Sequence, residues 1–232
     1  MSAGRTARER VREELTREIT DTARRHLATE GASGLSLRAV ARELGMASSA
    51  IYRYFPSRDD LLTALIIDGY NAVGDAVEQA DAACERGAYA ARWRAVCHAV
   101  RDWALAHPHE YALLYGSPVP GYSAPRDTVP AAVRDTAVFG AIVADAHRAG
   151  ALAPPPEIPA PPLSFGADAE RVRGFIPEAP DHVVARALTA WTGLYGWVGF
   201  ELFGQFENVL ADRTAAFDHN TRCLGALIGL AG

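Results

Sequence analysis

The sequence predicts an all-α fold. Three observations carry the prediction: apolar residues recur every three to four positions over most of the chain, no stretch alternates apolar and polar in the manner of a strand, and prolines gather in the stretches between periodic segments. The 232 residues, 49% hydrophobic and 22% charged, suit one large domain or two modest ones with an ample core. That composition excludes a wholly disordered chain, a collagen-like repeat and a disulfide scaffold.

The elements follow in order. Leu15, Ile19, Ala23 and Leu27, four apart, give a first helix that stops near Gly31. A second covers about 36–44, with Ser36 as N-cap and Gly45 just past its end. A third covers about 47–55 and is stopped by Pro56. Ser57 with Asp60 forms a capping box that opens a fourth, whose Leu62, Leu65, Ile66, Gly69, Tyr70, Val73 and Val77 mark one buried face. Trp93, Val96, Cys97, Val100 and Trp103 make a further stripe, ended by His107 and Pro108, and a short helix near 109–115 follows. GSPVPGYSAPRDTVP holds four prolines in fifteen residues and reads as a loop. Val133, Ala137, Ile142 and Ala146 give a helix ending at Gly150. The stretch 151–180 carries eight of the fourteen prolines, which leaves room for a turn or two around 167–173; a connection so long is usually functional or mobile. Val184, Ala187, Leu188, Trp191, Tyr195, Val198 and Leu202 form a helix from an Asp181 cap, and Phe217, Asn220, Thr221, Leu224, Leu227 and Ile228 form the last from an Asp212 cap.

The net charge of −5 averages two opposed parts. Residues 1–58 hold 11 arginines against seven acids, a balance of +4; the remaining 174 hold 12 arginines and 21 acids, a balance of −9. There is no lysine. A basic head on an acidic body is the asymmetry expected when one end meets a polyanion. Cys84, Cys97 and Cys223 have no metal-type spacing and read as free thiols in a reducing compartment. With no apolar run of about 18 residues and no apolar leader, the expectation is a cytoplasmic protein without a membrane partner.

The informative stretch is LSLRAVARELGMASSAIYRYFPSRDDLL, residues 35–62. Two short helices joined at Gly45 make a helix-turn-helix. Ala41 must be small where the second helix crosses, Gly45 turns the chain with φ > 0, Met46 packs back across the turn, and Ile51 with Tyr54 or Phe55 seats the second helix.

These residues resemble the N-terminal DNA-binding domain of the tetracycline-repressor (TetR) family, over about residues 12–66. Ala47, Ser48 and Ala50 depart from that family's usual serine, lysine and threonine. The resemblance implies domains at 1–56 (a three-helix head with a basic arm) and 57–232 (a helical effector-binding and dimerisation body). It implies a regulator, most often a repressor, that binds a palindromic operator as a homodimer and is released by a small hydrophobic effector. The second helix then enters the major groove. Ser48 and Ser49 suit phosphate at its start, Arg53 suits a guanine edge, and Tyr52 and Tyr54 can donate hydroxyls to backbone oxygens, Tyr54 being equally a core residue. Ser36, Arg38 and Arg58 suit flanking phosphates, and Arg5, Arg8, Arg10 and Arg12 form an arm that reads equally as a solvated helix face.

In the body, Trp93, Trp103, Tyr111, Tyr115, Phe139, Trp191 and Tyr195 are candidates to line an effector pocket, with ordinary core as the competing reading. The glycine-interrupted run WTGLYGWVGFELFG, which resembles a WHG-like C-terminal subtype of the family, and the last helix read as a four-helix interface with a second copy, through Gly193, Gly196, Trp197, Phe200, Phe217, Leu224, Leu227 and Ile228. Glu201, in the apolar run, requires a partner or a raised pKa and is a candidate interface or effector contact. No cofactor, metal or catalytic constellation is expected: Cys97 and His98 point apart on a helix, and His107, His109 and Glu110 have no second ligand group at metal spacing. The alternatives are a helical protein-interaction module, or a small helical enzyme using the central cavity.

Overall fold

The computed structural model describes residues 7–153 and 157–230; Arg5 of the arm lies outside them. Among the described residues there are eleven α-helices, two short 3-10 turns and no strand, so the chain is all-α. The helices are α1 (Ala7–Gly34), α2 (Leu37–Glu43), α3 (Ser48–Ile51), α4 (Arg58–Ala82), α5 (Tyr89–Ala106), α6 (Pro108–Tyr115), α7 (Val129–Ala132), α8 (Arg134–Arg148), α9 (Gly166–Val172), α10 (Asp181–Leu202) and α11 (Arg213–Ile228).

The chain divides into two compact units, and the division falls elsewhere than at 56/57. One comprises Met1–Gly69 with Pro108–Val129, the other Tyr70–His107 with Pro130–Gly232. The reason is physical. α4 is one unbroken helix across Gly69, and α6 with the loop after it brings Leu113, Val119 and Tyr122 against the head core.

That head core is built from Ile19, Ala23, Leu37, Val40, Ala41, Ile51, Phe55, Leu61, Leu62 and Leu65, all buried. Gly31 interrupts α1 with φ 68°, where the apolar spacing predicts its end. Ser57 caps α4 as the sequence predicts: its Oγ accepts from the Asp60 amide at 3.1 Å and donates to the Asp60 carboxylate at 2.6 Å. Ser36 has extended backbone before α2, but its side chain makes no capping bond. Thr63 Oγ1 and the Tyr122 hydroxyl, 2.9 Å apart, tie the returning loop to α4.

In the larger unit, α5 supplies the central stripe of Trp93, Val96, Cys97, Val100, Trp103 and Ala104, packed on α8, α10 and α11. Trp93 donates its indole N–H to the Thr221 carbonyl at 2.9 Å and meets Phe139 edge to face. Asp212 caps α11 by accepting from the Ala215 amide at 2.9 Å. Asp181 does not cap α10, which starts after Pro180; its carboxylate pairs with Arg173 instead.

Two buried arginines organise charge inside this unit. Arg92, wholly buried, holds Asp81 at 2.7 Å and Asp145 at 2.9 Å. Burial alone would raise the Asp81 pKa, but hydrogen bonds from Arg92 and Arg86 outweigh it and hold the carboxyl below its ordinary 3.8. A carboxyl whose pKa is lower folded than unfolded stabilises the protein above the unfolded value, and that contribution disappears as pH falls through the folded value. Asp81→Asn should therefore lower the urea midpoint at pH 7 and leave a smaller drop between pH 7 and pH 3 than the parent shows. The second arginine, Arg101, forms a bidentate pair with Glu201, at 2.8 and 2.6 Å, with both side chains more than nine-tenths buried. Glu201 thus has the partner its burial requires: an ion pair inside its own unit engages both its oxygens, while Arg101 also lies over the Phe217 ring at 5.1 Å.

Candidate functional site

The helix-turn-helix is assembled from backbone bonds that the sequence makes possible. After α2, Gly45 adopts φ 64°, and its amide bonds the Arg42 carbonyl at 3.2 Å. The Met46 amide then reaches the Ala41 carbonyl at 2.8 Å, which brings the chain back across α2. A valine at position 45 would have to hold a left-handed conformation that costs an ordinary residue about 1–2 kcal/mol and a β-branched one more. Gly45→Val should therefore destabilise the protein by at least that amount, read as a lower denaturant midpoint at unchanged slope.

The recognition element is shorter than the predicted 47–55. Only Ser48–Ile51 is α-helix; Tyr52, Arg53 and Tyr54 follow on a tightening turn in which the Tyr54 and Phe55 amides both bond the Ile51 carbonyl. Ile51 and Phe55 are buried beneath, and Ser48, Ser49, Tyr52 and Arg53 are exposed above. Tyr54 is shared: its ring packs against the head core, and the Arg12 guanidinium lies 5.7 Å from its centre. Arg12 also donates to the Arg53 carbonyl at 3.4 Å, so the start of α1 braces the end of the recognition turn.

The arginines of the head separate into two groups. Arg24 is bound by Asp21 and Asp68, and Arg25 by Glu43 at 2.8 Å. With His26 also bonded to it, Glu43 has its carboxyl held below the usual range, the Arg25 hydrogen bond first and that of His26 second. Arg58 differs from expectation: its Nη2 and Nε donate to the Ala32 and Leu35 carbonyls at 2.7 and 3.2 Å. It therefore braces the α1–α2 connection, and its Nη1 faces Asp59 at 3.6 Å. Arg38 and Arg53 are exposed, and among the described residues neither guanidinium has a carboxylate partner. Ser36 is half-buried just before α2.

The larger unit contains an apolar cavity of about 290 Å³. Val133, Thr136, Phe139, Gly140 and Val143 of α8 and its approach form one wall, and Ala187, Leu188 and Trp191 of α10 another. The proline-rich connection supplies a third through Arg171, Val172, Phe175 and Ile176, residues that carry no signal in a reading based on helical periodicity. A Cβ on Gly140 would stand 2.5 Å from the Phe175 carbonyl oxygen, so this glycine lets that third wall close on α8.

The aromatic residues predicted to line a pocket divide. Trp93, Phe139 and Trp191 do line the cavity. Tyr195 stands behind it, its ring against Trp191 and its hydroxyl donated to the buried Asp135. Trp103 is buried core stacked on His107. Tyr111 and Tyr115 belong to the head unit, because α6 returns there after Pro108. The predicted interface residues divide too. Phe217 and Ile228 are wholly buried within their own chain, and a Cβ on Gly193 would stand 2.9 Å from Leu224 Cδ2, so that glycine serves the close packing of α10 on α11. Gly196 and Phe200 are exposed, and Trp197, Leu224 and Leu227 are half-buried.

A helix-turn-helix head carrying unpaired arginines, joined by a continuous helix to an α-helical body with an internal apolar cavity, defines a class: one-component helical DNA-binding regulators. Sequence comparison then specifies it. The profile "Bacterial regulatory proteins, tetR family" matches residues 19–65, and "Tetracyclin repressor-like, C-terminal domain" matches residues 93–224. The HTH-type transcriptional regulators Rv1816 of Mycobacterium tuberculosis and Mb1846 of Mycobacterium bovis are each 40% identical over 223 residues, covering 94% of both chains. The crystal structure of a regulatory protein, SCO4313, superposes with a TM-score of 0.76 at 36% identity, covering 94% of this chain and 98% of its own. A tetR-family regulatory protein from Rhodococcus RHA1 shares the fold, with a TM-score of 0.63 at 18% identity over 94% of this chain and 98% of its own. The chain belongs to the TetR family of DNA-binding transcriptional regulators. No helix among the described residues is long and apolar enough to cross a membrane.

Proposed function

We propose that this regulator is a repressor that binds a palindromic operator as a homodimer and is released when a small apolar effector enters the cavity. The observation that carries the DNA-reading part is the exposed, unpaired Arg53 on the recognition turn, flanked by exposed Ser48, Ser49 and Tyr52 and supported by Arg38 on α2. An arginine fork matches guanine O6 and N7, and the hydroxyls and Arg38 suit phosphate oxygens. Two-fold pairing of heads about one helical turn apart, ~34–36 Å, gives the palindrome.

Exposed Phe200 and Gly196, with half-buried Trp197, Leu224 and Leu227, form the surface offered to a second copy along α10 and α11. An apolar strip of this kind is the expected centre of an isologous interface. Release follows from differential binding, typically 1–3 kcal/mol of coupling between ligand and DNA. α8 is suited to carry it. It walls the cavity, while its Arg134 grips Asp75, Glu78 and Asn71 of α4, the helix that continues into the head.

The test is fluorescence anisotropy with the DNA upstream of the regulator's own gene. The reading requires saturable binding to a palindrome, two chains per site, and affinity that falls steeply with salt. Monomeric binding, or equal affinity for scrambled DNA, would overturn it.

A further inference from the structure

We infer that the cavity of the larger unit takes a small amphipathic organic anion, an apolar body bearing one carboxylate, whose charge is met by Arg171. The inference rests on reading this cavity as the effector site and adds the chemistry of what enters it.

The lining is apolar except at Thr136, Arg171 and two indole N–H groups, that of Trp93 engaged by Thr221 and that of Trp191 buried with no partner among the described residues. Thr136 already donates its hydroxyl to Asp135, at 3.3 Å. Arg171 is the one charged residue on the described lining, with a side chain 86% exposed, which puts its guanidinium at the mouth. Its nearest acid, Asp168, is 3.7 Å away and itself mostly in solvent. Such an exposed, non-bidentate pair holds the guanidinium weakly. A ligand carboxylate at the mouth can engage the same fork through two parallel hydrogen bonds while the rest of the molecule leaves water for the walls, so it displaces Asp168 at little loss.

The interior limits the ligand in the other direction. A second charge, a polyphosphate or a sugar would be buried against Trp93, Phe139, Val143 and Trp191, with the Trp191 indole N–H too little to satisfy it, which is costly. The volume, equal to roughly ten water molecules, fits a ring or a short chain rather than a long acyl tail. A cationic ligand would meet Arg171 as a like charge.

Three probes of one shape separate these terms: 4-phenylbutyrate, 4-phenylbutanol and 4-phenylbutylamine, titrated into the full chain by calorimetry and by tryptophan fluorescence, which Trp93 and Trp191 on the lining report. The acid should bind at least about fivefold more tightly than the alcohol at low salt, and the amine most weakly, with the acid's advantage shrinking as salt rises. Arg171→Gln should bring the acid down to the alcohol while leaving the alcohol unchanged. Asp168→Asn should have the opposite sign and widen the acid's advantage by removing its competitor. Both side chains are mainly in solvent, so neither variant threatens folding. Equal affinity for acid and alcohol, an acid preference that survives Arg171→Gln, or no binding of any probe overturns the inference. Operator affinity, measured with the acid bound, is the separate readout. If the acid binds through Arg171 and operator affinity does not change, the ligand class stands and the effector reading fails.

Discussion

Glu201→Ala should strongly destabilise the larger unit. It leaves the Arg101 guanidinium buried without its carboxylate, and breaking a buried pair from one side costs about 3–5 kcal/mol, or roughly 6–20 °C in melting temperature for a chain of this size. Circular dichroism melts would show it. The cause is the stranded charge rather than the lost attraction, so replacing both partners together, Arg101→Met with Glu201→Leu, should recover much of the loss. A double variant as unstable as the sum of the singles would show that the pair contributes through packing alone, since coupling in a double-mutant cycle is what separates the two accounts.

Arg53→Glu should abolish recognition without touching the fold. Losing a bidentate base contact costs about 1–3 kcal/mol, and a carboxylate at that place adds repulsion from the phosphates, so specific affinity should fall by more than about a hundredfold. The Arg53 side chain is exposed, and the bond to Arg12 uses its backbone carbonyl, so melting temperature should stay within about 1–2 °C, as for surface substitutions generally. Arg53→Ala should lose less and relax the preference for one base pair. Unchanged binding by either variant, read by anisotropy on operator DNA, would move base reading to another side chain, with exposed Arg38 on α2 one candidate.

Much of the fold was legible because helices announce themselves locally. The 3.6-residue spacing marked α5, α8, α10 and α11, and punctuation by Gly31, Gly45, Pro56 and the Ser57 cap placed the helix ends within the head to within a few residues. What one-dimensional spacing cannot carry is which turn of chain an apolar side chain meets. Tyr111 and Tyr115 have the composition of a pocket and sit in the head, because α6 returns to it. Phe217 and Gly193 read as surfaces for a second copy, yet are used up in packing α11 on α5 and α10. Arg58 has the charge and position of a phosphate ligand, yet its donors serve carbonyls 23 and 26 residues away. Arg171, Phe175 and Ile176 gave no signal, since an aperiodic proline-rich segment shows no face until it is laid against something.

The path of the chain through the head bears on how such regulators could be recombined. The segment 108–129 completes the head from the far side of the sequence: Leu113, Val119 and Tyr122 cover its core, and Tyr122 bonds Thr63. A chimera cut after Gly69 would carry over the DNA-reading surface but leave behind part of its apolar cover. Grafting it onto a foreign body would trade matched side chains for whatever that body's own return loop presents. Recombining specificities in this protein therefore means transplanting two discontinuous pieces together.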